Sequence, residues 1–211
     1  MRSCLLVAAI VMLSACDSGT STSAAPKGSA AERKLAGVYP DKFKCETILS
    51  DDAVGQLLGG SAHPVDSAMA PPKGIAYPCN YQVTSDTGTE YWTYDFDCRD
   101  GMKQRADALF AQYRSGSTDM VDQYNALADA GQVKPDKDAG VVYHAPAAAV
   151  EVDVGAKGLD HHGQGLIFID DDAPCYVRVV GPDAQHRLTL ARAIAKNLTF
   201  ANAPMTPRPF P

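Results

Sequence analysis

Position constrains the chemistry of four residues in this chain more than any others: Cys45, Cys79, Cys98 and Cys175. In an oxidising compartment an even number of cysteines reads as disulfides, here two, and four cysteines allow three pairings among which spacing alone does not choose. Metal ligation by thiolates calls for closer clusters of the Cys-x-x-Cys kind, whereas the nearest two of these lie about twenty residues apart. His161 and His162, beside Asp160 and shortly before Asp170, Asp171 and Asp172, form the other cluster with the look of ligand chemistry. Zinc-binding histidines on a helix are spaced to share a face, and adjacent histidines diverge. Residues 158–164 therefore read as a polar hairpin loop without a metal. The three aspartates lack calcium-loop spacing and read as an acidic turn between strands. The chain has no Gly-x-Ser-x-Gly elbow and no phosphate loop, His63, His144 and His186 stand alone, and no cofactor is implied.

The elements that position these residues follow from periodicity. Ser50 is the expected N-cap of a short helix, with Asp51 and Asp52 at its positive end, Val54, Leu57 and Leu58 on one face and Gly59-Gly60 as its stop. A loop rich in Pro, Ala and Ser leads to a strand over 77–83 in which Cys79, Tyr81 and Val83 point one way. After a hairpin turn at Ser85-Asp86-Thr87-Gly88, a second strand places Trp92, Tyr94, Phe96 and Cys98 on one face and Tyr91, Thr93, Asp95 and Asp97 on the other. That aromatic stripe reads as core rather than as the lining of a pocket. Helices are predicted over 102–113, 119–130 and 184–198, the last with Leu188, Ala191, Ile194, Ala195 and Leu198 inward. Strands are predicted over 140–144, 149–154, 166–169 as a buried central strand, and 175–180 with Cys175, Val177 and Val179 on one face. A hairpin with an inward cysteine followed by a helix thus occurs twice, without a residue-level repeat. The fold class is α+β: an antiparallel sheet with amphipathic helices packed on one face and two disulfides, in one domain over 33–202 with a Pro-rich tail over 203–211 expected to trail from it.

The first sixteen residues differ in character from the rest of the chain. Arg2, an apolar run over 4–13 and then small residues have the layout of a secretory signal, too short to remain as a membrane span. Leu13, Ser14, Ala15 and Cys16 match the lipobox of bacterial lipoproteins at all four positions. The resemblance implies removal of residues 1–15 and diacylation of Cys16, whose two or three acyl chains hold a membrane far better than one. Asp17 resembles the signal that retains lipoproteins of enteric bacteria in the inner membrane. Residues 16–32, all small or polar, read as a flexible tether with a reach of about 20 to 25 Å. The chain carries a net charge of −6 with no basic cluster, which excludes nucleic acid as a partner.

Cys45-Glu46-Thr47-Ile48-Leu49-Ser50, then Val54, Leu57-Leu58-Gly59 and Pro78-Cys79-Asn80-Tyr81, resemble a family of uncharacterised actinobacterial lipoproteins over about forty residues. The resemblance implies a small exported α+β domain, no enzymatic activity, and a disulfide between Cys45 and Cys79. Cys98 ends one strand and Cys175 begins another, both on the apolar face, so antiparallel neighbours would bring these two together.

The reading that results is a lipid-anchored lipoprotein facing outside the cytoplasm, in the periplasm or cell envelope, with a non-enzymatic domain that binds a small ligand, senses envelope conditions or docks on an envelope protein. Its rivals are a periplasmic hydrolase with an unrecognised site, marked by convergent ionisable residues in a pocket, and a structural or inhibitory protein acting through a flat apolar surface.

Overall fold

A computed structural model describes residues 35–115, 131, 149–161 and 164–210. The leader 1–15, Cys16, Asp17 and the rest of the tether, the helix expected over 119–130, the strand expected over 140–144 with His144, and His162 lie outside them.

Local signals start and stop the first helix as the spacing predicts. α1 (Asp51–Leu58) begins where the Ser50 hydroxyl accepts the Ala53 N–H, and ends at Gly59, whose left-handed backbone returns its N–H to the Gly55 carbonyl. α2 spans Met102–Ser115, and α3 (Ala184–Asn197) is capped by the Asp183 carboxylate on the His186 N–H at 2.7 Å. The inward stripe of α3 is turned from the one expected: Arg187, Leu190, Ala191 and Ile194 are buried, whereas Leu188 and Ala195 are half-buried.

Strand alternation builds the sheet. β3 (Cys79–Ser85) and β4 (Gly88–Asp97) form the expected hairpin with Ser85 opposite Gly88, and β7 (Gly165–Ile169) and β8 (Tyr176–Val180) form a second hairpin. Two strands stand where loops were expected. β2 (Ser61–Val65) pairs with β3 as an edge strand, a position that tolerates Pro64 because one side of an edge needs no ladder bond. β6 (Lys157–His161) is a strand and not the polar loop read from its sequence. It is held between β7 and β5 (Val150–Val152), with Gly158 essential to the fit, since a Cβ there would lie 2.7 Å from the Val152 carbonyl oxygen.

The seven strands run β2-β3-β4-β8-β7-β6-β5, every pair antiparallel. Two meanders, β2 to β4 and β5 to β8, therefore meet at β4 and β8, and each is followed by a helix. Asp97 pairs with Tyr176, so the next residues in register are Cys98 and Cys175, and they form a disulfide with Cα atoms 4.1 Å apart. The second disulfide joins Cys45 to Cys79, Cα atoms 5.7 Å apart, and fixes the segment before α1 to the start of β3.

The fold is α+β, and its main core lies where α1 and α3 cover one face of the sheet. There Trp92, Tyr94, Phe96, Phe168, Val177 and Val179 are sealed from solvent, each contributing about 1.5 to 3 kcal/mol by burial. Trp92 packs on Gly181 so closely that a Cβ would fall 2.0 Å from the indole. α2 covers the opposite face over β6, β7 and β8, its Ala106 and Phe110 packed against Leu159, Ile167 and Ile169. This second layer is why β7 is buried at every position. The Pro-rich C-terminal segment does not trail: Ala203, Pro204 and Met205 are buried, Pro204 bridges to Val38, and β9 (Arg208–Pro209) pairs with β1 (Leu35–Ala36).

Candidate binding cleft

On the face that carries α2, that helix lies over β6 to β8. β4 points Tyr91, Thr93, Asp95 and Asp97 to this side, the residues that alternate with its buried aromatic ones. Opposite Asp95 in the ladder stands Arg178 of β8, whose Nε and Nη2 donate to one Asp95 oxygen at 3.0 and 2.7 Å. Two positions along β4, Asp97 accepts Nε and Nη2 of Arg99 at 2.9 and 2.7 Å and the Arg99 backbone N–H at 3.2 Å. Asn80 of β3 accepts the Thr93 hydroxyl at 2.9 Å. Two charge pairs and an amide-hydroxyl pair thus floor a groove between α2 and the segment 66–78.

The groove has two ends that share Ile75, Asp95 and Arg178. Under α2 a hollow of about 280 Å³ is walled by Met102, Arg105, Leu109 and Tyr176. Under the segment 66–78 a hollow of about 360 Å³ is walled chiefly by Met69, Pro71, Pro72 and Ala76. The electrostatics of the two carboxylates differ. Burial pushes Asp95 above the usual carboxylate range, against the pull of the Arg178 charge and its hydrogen bonds. For Asp97 the same burial is outweighed by the bonds from Arg99 and the charges of Arg99 and Arg105, so it is held low. An apolar wall with a few convergent charged groups is the usual composition of a small-molecule site.

A larger hollow of about 440 Å³ lies beside the Cys45–Cys79 disulfide, bordered by Glu46, Asp51 and Asp66 and floored by Tyr81. The Tyr81 hydroxyl stands 3.4 Å from that of Tyr94, and burial raises both phenols above the ordinary tyrosine range. These two rings belong to the main core, so the hollow is a dent over packed residues.

The residues singled out in the sequence have structural places. Asp160 is engaged by Arg187 of α3 in a two-pronged pair at 2.7 and 2.8 Å, and Arg187 also donates to the Gly181 carbonyl at 2.7 Å. His161, on the opposite side of β6, is buried on the α2 face. Asp170 is buried and accepts the N–H groups of Asp172 and Ala173, at 3.1 and 2.7 Å, so the acidic run is a turn closed by its own first carboxylate. Among the described residues no three His, Cys, Asp or Glu side chains gather to hold a metal, and no helix is long and apolar enough to cross a membrane. Arg178 and the pairing of Asp95 were missed in the sequence. The available signal was a lone arginine alternating with Val177 and Val179 opposite a strand that presents two aspartates. Compared with known families, curated proteins and solved structures, the chain matches none.

Proposed function

We propose that this chain is an exported lipoprotein, anchored through acylated Cys16 outside the cytoplasm, whose domain binds a ligand or an envelope partner in the cleft floored by Asp95 and Arg178 and performs no catalysis. The observation that carries the reading is the pair of disulfides, one across the junction of the two meanders and one at the start of β3. Such crosslinks persist in oxidising compartments, which is where a lipobox delivers its protein. The charge pairs of the cleft support recognition: a ligand carboxylate, hydroxyl or amide can share their donors and acceptors while its apolar part displaces water from the Pro-rich wall.

Cys16→Ser tests the anchor. The variant is expected to lose membrane attachment and incorporation of a labelled fatty acid, read by fractionation and metabolic labelling, and a variant that stays bound and labelled overturns the anchor. Crosslinking in intact cells followed by membrane extraction tests the binding role. A single stoichiometric envelope partner identifies docking, and its absence moves the test of the binding role to small ligands.

A further inference from the structure

Three guanidinium groups, of Arg99, Arg105 and Arg178, converge on the α2 end of the cleft, where the carboxylates are those of Asp95 and Asp97. Both carboxylates are already taken, Asp95 by two donors of Arg178 and Asp97 by three donors of Arg99. Among the described residues the lining carries one more positive charge than negative, centred on Arg105, in a chain whose net charge is −6. A local reversal of sign against an acidic molecule focuses anions, and the planar arginine fork matches a carboxylate in two-pronged geometry. Cationic ligands meet the opposite situation, since among the described residues they face three guanidinium groups and no unengaged acid. Beyond the shared residue Ile75 the cleft turns apolar, under Pro71, Pro72 and Met69. Proline walls are stiff, so this end costs little entropy to close on a ligand.

We propose that the cleft binds a small monocarboxylate with an apolar body, its carboxylate on Arg105 with Arg99 and Arg178 beside it, and its body along Ile75 beneath the Pro71-Pro72 segment. The proposal rests on the cleft being the binding site of the domain. Arg105 positions the head group, and Ile75 separates the polar end from the apolar end.

The test uses the full mature chain in its unlipidated Cys16→Ser form, so that no detergent competes, and titrates it calorimetrically with decanoate below its micelle-forming concentration. Decylamine, decanol and acetate are titrated alongside. Decanoate is expected to bind at least about tenfold tighter than any of the three, because only it has both the charge and the chain. Arg105→Gln is expected to weaken decanoate about five- to tenfold and leave decanol unchanged, Arg105→Lys to recover part of the loss, and Ile75→Asp to weaken decanoate by about tenfold. Arg105 is exposed, so the melting temperature of its variants stays that of the parent and a loss of binding is not a loss of fold. Equal binding of decylamine or decanol, or an unchanged affinity in Arg105→Gln, overturns the proposal. Absence of decanoate binding overturns the ligand class alone if crosslinking yields an envelope partner, and removes the binding role as well only if crosslinking is also empty.

Discussion

Arg187 with Asp160 and Arg178 with Asp95 are the same chemical pair on opposite faces of one sheet. On the face under α1 and α3, the Arg187 side chain is 2 % exposed and that of Asp160 13 %, and a backbone carbonyl takes a further guanidinium N–H. On the other face Arg178 is 47 % exposed and Asp95 21 %, beside an open cleft. A sealed pair is a strut: its ions lost their water on folding, and removing one leaves the other buried without compensation. A more open pair is screened by solvent and contributes less to stability. β4 serves both faces at once, with Trp92, Tyr94 and Phe96 closing the core and Thr93, Asp95 and Asp97 facing the cleft. Residue type alone does not separate a buried charge pair from a more open one here. The layer above each face does.

The largest loss of stability is expected at the seam of the two meanders. Replacing both Cys98 and Cys175 by alanine removes a crosslink spanning 77 residues, and is expected to cost about 4 to 5 kcal/mol in urea unfolding by the chain-entropy model. A loss under about 1 kcal/mol would mean that the β4 and β8 pairing stands without it. Next, Arg187→Ala is expected to cost about 3 to 5 kcal/mol, and Arg178→Ala less, about 1 to 2 kcal/mol, because Arg178 is the more exposed arginine although Asp95 stays largely buried. Equal losses in the two variants would erase the distinction between strut and site.

The smallest expected effect concerns Asp170, at the end of β7. Burial raises its pKa to about 6, opposed by the N–H groups of Ala173 and Asp172 and reinforced by the charges of Asp172 and Asp171. A carboxyl whose folded pKa lies above its unfolded value contributes stability that is fully present below the ordinary carboxylate range and is lost as pH rises through about 6. The wild-type chain therefore gains stability on this account as pH falls from 8 to 5. Asp170→Asn keeps the acceptor oxygen without the charge, so it is expected to flatten that dependence and to stabilise the domain at pH 8 by on the order of 1 kcal/mol after allowance for solvent screening. Urea midpoints of both proteins between pH 5 and 8 check it, and parallel curves would assign the dependence to other groups.

Much of the fold was legible where one residue's role depends on its near neighbours. Ser50 and Gly59 bound α1 because caps are local hydrogen bonds. The alternation of Trp92, Tyr94 and Phe96 with Thr93, Asp95 and Asp97 reveals a strand with one buried face because a pleat has a period of two. Cys98 and Cys175 read as partners because each lies at the end of an apolar stripe. β2 and β6 escaped notice because Ser-Ala-His-Pro-Val and Lys-Gly-Leu-Asp-His carry little alternation of their own. Each is a strand because a better strand beside it supplies the ladder. The Pro-rich C-terminal segment likewise looked like a tail until Val38 and β1 gave it partners.

The helix caps, the two-faced strands and the cysteines available to pair are written in the sequence, all properties carried within a few residues of chain. Tertiary structure alone decided that β8 enters between β4 and β7, that α2 lies across the face opposite α1 and α3, and that Arg178 meets Asp95 beside an open cleft. The physical reason is that periodicity states which residues share a face and nothing about which distant strand or helix will cover it. That choice is made by the burial of whole surfaces against one another, and it separates a sealed arginine from an open one.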